Sequence, residues 1–378
     1  MRALAAVGVV IAFTAAAHAQ KPAAPPVIGA TEVARYAAPS GFIDDPVAAE
    51  DDRIAYVIAD AATKAELHVA ALSRQDETVL DLAPVTLHPV QLAFVGPRVF
   101  VVGANEDGTV SAALVDPKAK RPVIYKIAAA ANITVLKDRV AVHRVSAAGK
   151  TTRHDVEILA LDSGRRIAAH GIELDATGFD AKLEFRVNHW SDGYTRAYGI
   201  KTGEWDKKED QKMPDAEATL DVVTGKVLET HAIKDLFEQH KRFAVLADQK
   251  ERVDFVRADK GELTLWRGGV AAPVTLDQAF TNYDPASLQF QMTADGAWIA
   301  LKVDPVNPDA VARKKADLEY FDIFKVTDGK GVRRARVYAK DMRHRFGFIG
   351  GDKFWLVERN AGFERGGKNL VVYQLSGG

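Results

Sequence analysis

The sequence predicts an all-β fold, a seven-bladed β-propeller of four-stranded antiparallel blades, and three observations predict it. Short segments of alternating apolar and polar residues recur seven times along the chain. Their spacing, once two charged insertions are set aside, is in the mid-forties, which is the period of a propeller blade. Long helical periodicity is missing, and the best helical candidate, residues 233–240, spans one or two turns.

We interpret the recurring segment as the third strand (strand c) of each blade. Its copies end at residues 72, 115, 161, 223, 266, 326 and 375, so the intervals are 43, 46, 62, 43, 60 and 49 residues. The two long intervals contain the charged insertions 201–215 and 304–317, and removing about 14 residues from each restores the period. The seven copies are residues 66–72, 110–115, 156–161, 218–223, 262–266, 320–326 and 369–375.

The last blade has three strands before the sequence given ends. Residues 31–37 (TEVARYA) precede the first full blade and are predicted to supply the missing outer strand. Such an N-terminal strand would close the ring and remove the exposed sheet edges that an open array leaves. The sixth blade is predicted as strands over 288–292, 298–303, 318–326 and 333–338, and the Asp107-Gly108 pair predicts a tight turn in the second.

Several segments resemble the turn-and-strand signature of TolB-type, WD-repeat-like propeller repeats. These are Asp295-Gly296-Ala297-Trp298 and Asp52-Arg53-Ile54-Ala55 before strands, and Leu161-Asp162-Ser163-Gly164 and Val223-Thr224-Gly225-Lys226 after them. The resemblance implies a fold and says little about function, because scaffolds, peptidase-attached propellers and enzymes share the signature. No catalytic domain of the prolyl oligopeptidase kind is expected after the last blade.

The N-terminus predicts export. One charge at Arg2 precedes an apolar run to about Ala17, and Ala17-His18-Ala19 has small residues at the positions that a signal peptidase recognises. We therefore expect a signal peptide over 1–19, an extended leader over 20–30, a single propeller domain over 31–378, and a periplasmic or secreted protein. An uncleaved anchor is the alternative, and no transmembrane segment is expected in the mature chain.

Composition excludes several classes of function. The chain has no cysteine, which excludes thiolate zinc sites, cysteine nucleophiles and stabilisation by disulfides. Its 50 basic residues nearly balance its 51 acidic ones, so nucleic acid is not an expected partner. No G-x-S-x-G nucleophile motif and no H-x-H or H-E-x-x-H pair is present. We expect no metal, no cofactor and no catalytic residue.

The insertions predict the functional face. Both connect strands b and c, so they are expected to project from one face of the disc, where a shorter loop over 360–367 joins them. The candidate binding residues in the three loops are Trp205, Lys207, Arg313, Lys314, Phe363 and Arg365. The leading hypothesis is a non-catalytic scaffold that binds a protein or peptide there.

Two other functions stay open. The first is a hydrolase, lactonase or lyase that uses carboxylate or histidine groups at the mouth of the central channel, for which Asp44-Asp45 and Glu50-Asp51-Asp52 are the nearest acidic clusters. The second is a quinoprotein, although its characteristic tryptophan-docking repeat is not visible. A cluster of groups with shifted pKa values at the channel would favour an enzyme, and an exposed apolar patch beside the insertions would favour a binder.

Overall fold

The fold is built from β-strands in a computed structural model of the chain. The model describes residues 29–60, 64–74, 76–119, 123–136, 138–148, 151–175, 183–191, 194–201, 216–221, 224–232, 251–267, 270–280, 289–293, 295–302, 319–339, 346–359 and 367–376. Within these ranges the only helical element is a single 3₁₀ turn, Ala258–Lys260. The helical candidate over 233–240 lies outside the described residues.

The strands form consecutive antiparallel groups, which we number in chain order. Five groups contain four strands each, and groups 5 and 7 contribute three. The strands are, in group 1, β2 (Phe42–Glu50), β3 (Arg53–Ala59), β4 (Ala65–Ala71) and β5 (Asp76–Asp81); in group 2, β6 (His88–Val95), β7 (Arg98–Ala104), β8 (Val110–Val115) and β9 (Val123–Ala130); in group 3, β10 (Asn132–Leu136), β11 (Arg139–Ala148), β12 (Thr151–Ala160) and β13 (Arg166–Asp175).

The second half of the chain continues the same order. Its strands are, in group 4, β14 (Leu183–Ser191), β15 (Tyr194–Lys201), β16 (Ala216–Asp221) and β17 (Lys226–Ala232); in group 5, β18 (Glu251–Arg257), β19 (Glu262–Arg267) and β20 (Val270–Leu276); in group 6, β21 (Gln289–Met292), β22 (Trp298–Lys302), β23 (Glu319–Thr327) and β24 (Lys330–Ala339); and in group 7, β25 (Phe346–Ile349), β26 (Lys353–Arg359) and β27 (Gly367–Leu375). The expectation of an all-β chain with four-stranded antiparallel sheets is confirmed.

The N-terminal strand β1 (Ala30–Ala37) pairs with the last strand of the chain. It runs antiparallel to β27, from Ala30 opposite Leu375 to Ala37 opposite Asn369. The backbone N–H of Ser376 also donates to the carbonyl of Gly29, at 2.9 Å. Residues predicted as an outer strand for the last blade therefore lie beside its third strand.

One backbone hydrogen bond recurs at the open end of paired strands. The residue that ends the third strand donates its N–H to the residue just before the second. The pairs are Leu72 to Asp52, Leu161 to Asp138, Val326 to Ala297 and Leu375 to Asp352, at 2.8–3.2 Å. Leu276 makes the same bond to Gly261, at 2.9 Å. A bond of this kind also joins the fourth strand to the third in group 1, from Leu82 to Ala65 at 2.8 Å, so it marks the end of a strand pair whichever two strands form it.

Residues 262–266, expected to be a third strand, lie on β19, the middle one of the three described strands of group 5. The strand that follows it, β20, is mostly exposed, as is the fourth strand of group 1, β5. This exposure agrees with residues 262–266 as the third strand of group 5 and β20 as the fourth.

The apolar core lies between the faces of neighbouring groups. One cluster joins groups 1 and 2 through Val57 and Val101, and another joins groups 6 and 7 through Phe321 and Phe354. Group 7 also packs on group 1, where Trp355 meets the buried Tyr56 in one cluster. Four aromatic residues on second strands, Tyr56, Phe100, Trp298 and Trp355, are all buried.

Bulges interrupt the outer strands. In five of them one residue has no partner in the neighbouring strand: Val33, Ile124, Ile167, Leu228 and Arg334. The four aliphatic ones are 45–53% exposed. A bulge bends an edge strand and breaks its row of hydrogen-bonding groups, which hinders pairing with another chain.

The predicted tight turn of group 2 is confirmed. Gly108 has φ +79°, a conformation that favours glycine, and Asp107 Oδ1 accepts hydrogen bonds from the backbone and the hydroxyl of Thr109. The strands predicted for the sixth blade match β21 to β24 within a few residues.

Candidate functional site

The loops predicted to bind a partner lie outside the described residues. Trp205 and Lys207 are in 202–215, Arg313 and Lys314 in 303–318, and Phe363 and Arg365 in 360–366. The strands before and after each of these segments lie among the described residues. Each segment connects the second and third strands of its group: β15 to β16, β22 to β23, and β26 to β27.

The described bases of two of these loops are tightly packed. Lys302, the last residue of β22, is only 7% exposed. Gly367, the first residue of β27, leaves no room for a side chain, since a Cβ there would come within 2.2 Å of Val357 Cγ1. The chain therefore leaves from and returns to rigid strands, which is how a scaffold holds functional loops in place.

A cavity opens where the first strands of groups 1, 2, 6 and 7 approach one another. Its volume is about 780 Å³. Both apolar and polar side chains reach it, including Val90, which is 51% exposed although it lies on a first strand. Its polar side chains are Gln91, Gln291, Thr293, Asp51 and Asp295. The cavity lies at the end of the first strands, beside the turns that lead to the second strands.

The cavity offers hydrogen-bonding groups but no recognisable acid–base pair. Asp295 accepts hydrogen bonds from Thr293 Oγ1 at 2.6 Å and from the backbone N–H of Ala297 at 2.9 Å, which is the role of a turn residue. Among the described residues that line the cavity there is no histidine. Such a lining can hold a polar ligand, whereas general acid–base catalysis needs positioned groups of suitable pKa.

The titratable groups with large pKa shifts lie elsewhere, between strands. His143 on β11 and His154 on β12 are fully buried, with His143 Nε2 2.8 Å from His154 Nδ1. Burial, and secondly the neighbouring His154, lower the pKa of His143 to about 3. Burial lowers the pKa of His154 to about 4, although Asp155 opposes the effect. Neither histidine lines the cavity between the first strands.

A second polar cluster lies on the face of group 1 that meets β1. The hydroxyl of Tyr56 and Nδ1 of His68 both bond to Glu77 Oε1, the latter at 2.9 Å. The rings of Tyr56 and His68 stack with centroids 5.0 Å apart, and Tyr36 of β1 lies 5.4 Å from Tyr56. Burial, and then the bond to Glu77, raise the pKa of Tyr56 far above its ordinary value.

Sequence reasoning missed both clusters, because their members are far apart in the chain. His143 and His154 are joined by the register of β11 on β12, in which His143 lies opposite Val156 and Val145 opposite His154. Searches for close histidine spacing cannot find a pair that is formed across strands. The only available signal was that several predicted adjacent strands carry a histidine at an otherwise apolar position.

In the described part of the chain, no three histidine or acidic side chains form a cluster that could enclose a metal ion. No helix among the described residues is long and apolar enough to cross a membrane.

Comparison with known proteins gives likeness of fold only. No family model matches the chain, and no curated protein matches it. Similar solved structures include the WD40 domain of Toxoplasma gondii coronin (10% identity, TM-score 0.39, covering 92% of this chain and 88% of that one). The propeller domain of the Trilobed protease of Pyrococcus furiosus is also similar (11%, 0.30, 85% and 80%).

A putative 6-phosphogluconolactonase of Bacteroides fragilis is a third similar structure (13% identity, TM-score 0.36, covering 82% of this chain and 88% of that one). These neighbours are WD40 and other β-propeller domains. At such identities and TM-scores the likeness has no bearing on activity, substrate or partner.

Proposed function

We propose that this protein is an exported, non-catalytic β-propeller that binds a protein or peptide partner through loops on one face. The observation that carries the proposal is the position of the three long connections, which all join second to third strands. In an up-and-down blade these connections leave from the same end of the sheet. The loops over 202–215, 303–318 and 360–366 would thus be presented together above rigid strands.

The scaffold is a closed ring of seven blades in this proposal. The pairing of β1 with β27 supports closure, because it completes the last group with a fourth strand. The packing of group 7 on group 1 supports it as well, since an open array would leave these two faces in water. The remaining strand of group 5 would come from residues outside the described ranges.

The predicted chemistry of the binding face is aromatic and basic. Trp205 and Phe363 would be apolar anchors, and Arg313, Lys314, Lys207 and Arg365 would contact acidic groups of the partner. Tryptophan and arginine are enriched among the residues that dominate binding energies at interfaces.

The test is capture of a partner by the mature protein. We expect one stoichiometric partner from an exported-protein extract, lost when Trp205, Arg313 and Phe363 are all replaced by alanine. A matched control replaces Arg165, Lys226 and Lys330, which are exposed near the turns between third and fourth strands at the opposite end of the groups. Capture that survives the loop variant, or is lost equally in the control variant, would contradict the proposal.

A second candidate function is ligand binding or hydrolysis at the channel, which the cavity of about 780 Å³ favours. Sugar lactones and other polar small molecules would be screened for an increase in Tm, with the variant Asp51→Asn as comparison. A ligand whose effect depends on Asp51, together with turnover, would move the assignment to an enzyme. If none of the screened molecules changed the Tm, ligand binding or hydrolysis at the channel would be excluded as the function.

A further inference from the structure

The cavity between the first strands of groups 1, 2, 6 and 7 has an irregular wall. Val90 of β6 has no partner in β7, because the register shifts between Pro89 and Gln91. The pairing of β2 with β3 also shifts, between Ile43 and Val47. Such bulges re-aim side chains and are frequent beside functional sites. Val90 and Gln91 therefore both reach the cavity, although neighbours in a regular strand point to opposite faces.

One part of the cavity lining is apolar and aromatic. It is formed by Val90, Met292, Phe348 and Trp355. Nε1 of Trp355 lies 3.0 Å from the position that a Cβ of Gly347 would take. Because Gly347 has no side chain, the indole of this second-strand residue covers the first strand and reaches the cavity. A ligand with an apolar face can pack against this part of the wall.

The polar part of the lining consists largely of amides. Gln91 comes from group 2 and Gln291 from group 6, on either side of groups 7 and 1. Neither amide has a hydrogen-bond partner among the described residues. Each amide offers two donor hydrogens and an acceptor oxygen. A hydroxyl group also donates and accepts, so these amides match a ligand with several hydroxyl groups.

The charge of the lining narrows the class of ligand. Asp51 and Asp295 are present, whereas no lysine, arginine or histidine lines the cavity in the described part of the chain. A sugar phosphate or a sugar acid would meet two carboxylates without a neutralising cation. A quaternary ammonium ion has no group that can pair with the amides, and unpaired amides beside a bound ligand lower its affinity. A neutral ligand fits best.

A neutral oligosaccharide combines these properties. Its rings have apolar C–H faces and a rim of hydroxyl groups. The cavity volume of about 780 Å³ lies within the range of about 300–1,000 Å³ that is typical of small-molecule sites. The turn at Gly350 and Gly351, which also lines the cavity, has no side chains that could close its mouth.

We propose that this cavity binds a neutral oligosaccharide. Gln91 and Gln291 hydrogen-bond to its hydroxyl groups, and the wall around Trp355 packs against its C–H faces. The inference rests on the second candidate function for the position of the site, and it requires binding but no turnover. The cavity is lined by turns between first and second strands, so it lies at the end of the groups opposite to the loops over 202–215, 303–318 and 360–366.

The test titrates the mature protein, by calorimetry, with neutral oligosaccharides of glucose, galactose, mannose and N-acetylglucosamine. Glucose 6-phosphate and gluconate are the anionic comparison. We expect saturable binding of a neutral oligosaccharide at one site. Gln91→Ala and Gln291→Ala should each weaken it about 3–10-fold, the loss expected for one or two neutral hydrogen bonds. Thr78→Ala on β5 and Thr275→Ala on β20, exposed outside the cavity, should leave affinity unchanged.

Tryptophan fluorescence locates the bound sugar. The oligosaccharide should change the emission of the natural protein, and Trp355→Phe, which keeps an aromatic ring in the wall, should remove that change. Absence of binding by every neutral oligosaccharide at millimolar concentration would overturn the proposal. Full affinity in the double variant of Gln91 and Gln291, both at least partly exposed, would overturn it as well.

Two further outcomes separate this inference from the proposed functions. The alanine variant of Trp205, Arg313 and Phe363 should bind the oligosaccharide normally, even where it no longer captures a protein partner. Loss of sugar binding in that variant would place the sugar on the loop face and overturn the inference. Binding without turnover would support it and would contradict only the hydrolase.

Discussion

His143 and His154 form a buried imidazole pair inside group 3, with Nε2 of the first 2.8 Å from Nδ1 of the second and the rings stacked 4.9 Å apart. The two residues are 11 positions apart, on adjacent strands β11 and β12. A single hydrogen bond links two neutral rings, whereas protonation would place a charge in the apolar space between sheets. The pair should therefore make stability depend on pH.

The sign of that dependence follows from the lowered pKa values of about 3 and about 4. Below the usual histidine pKa of about 6.5 the unfolded chain takes up protons that the folded chain does not, so stability is full above that pH and falls as the pH drops toward 4 and 3. At pH 5 each histidine should lower the free energy of unfolding by about 2 kcal/mol, relative to its value above the usual histidine pKa. Urea unfolding from pH 7 to 5 measures this.

The control for the histidine pair is the double variant His143→Leu with His154→Phe, which fills the space with apolar groups. On going from pH 7 to pH 5, the free energy of unfolding of this variant should fall by about 4 kcal/mol less than that of the natural protein. Equal pH profiles for the two proteins would show that the pair is not the titrating group.

Arg336 neutralises a buried carboxylate in group 6. Asp322 is 1% exposed and accepts hydrogen bonds from Nε and Nη2 of Arg336 at 2.6 and 2.7 Å. Arg336→Leu should lower the free energy of unfolding by about 3–5 kcal/mol, because it removes both short hydrogen bonds of a buried carboxylate, and Nη1 of Arg333, at 3.9 Å from Asp322 Oδ2, is too far away to replace them. Adding Asp322→Asn should restore most of the loss. Chemical denaturation of the single and the double variant measures this recovery. Equal stabilities of these two variants would contradict the account.

Gly29 fixes the start of β1 against group 6. It has φ +67°, and a Cβ there would lie 1.8 Å from the carbonyl oxygen of Arg334. Gly96 has φ +56° with nothing within 4 Å of its Cβ position. Gly96→Ala should lower the free energy of unfolding by about 1–2 kcal/mol, because of its backbone conformation alone. Gly29→Ala should cost more and should expose β1 to limited proteolysis, and equal effects of the two would argue against this contact.

Buried tyrosines should resist alkaline ionisation. Burial raises the pKa of Tyr125 and of Tyr373 to about 12. Burial, and then the hydrogen bond to Glu77, raise the pKa of Tyr56 far above its ordinary value. In a spectrophotometric titration of the nine tyrosines, Tyr56→Phe should leave the native curve unchanged and lower the amplitude only after unfolding. Loss of a native ionisation step in this variant would show that Tyr56 is exposed to solvent.

Export can be tested directly on the full chain. We expect the exported protein to begin at Gln20, as read by N-terminal sequencing, because Ala17 and Ala19 provide the small side chains of a cleavage site. Ala19→Arg should block cleavage, whereas His18→Arg, between the two recognised positions, should not. Cleavage elsewhere, or none in the natural chain, would contradict the expected leader.

Strand positions were the most predictable part of the fold, because alternation of apolar residues reports directly which side chains are buried. All seven segments predicted as third strands fall on described strands, namely β4, β8, β12, β16, β19, β23 and β27. Group 5 shows the limit of this reasoning. Alternation alone does not give the place of a strand within its group, and for residues 262–266 that place follows from the exposure of the next strand, β20.

Local chemistry alone determined two features of this protein: the tight turn at Gly108 and the order of strands around the insertions. The tertiary structure decided which titratable groups meet. His143 reaches His154, Glu77 reaches His68, and Asp322 reaches Arg336 only because the strands pair in one register. Register depends on the packing of whole sheets against each other, and a one-residue shift would turn each of these side chains to the opposite face.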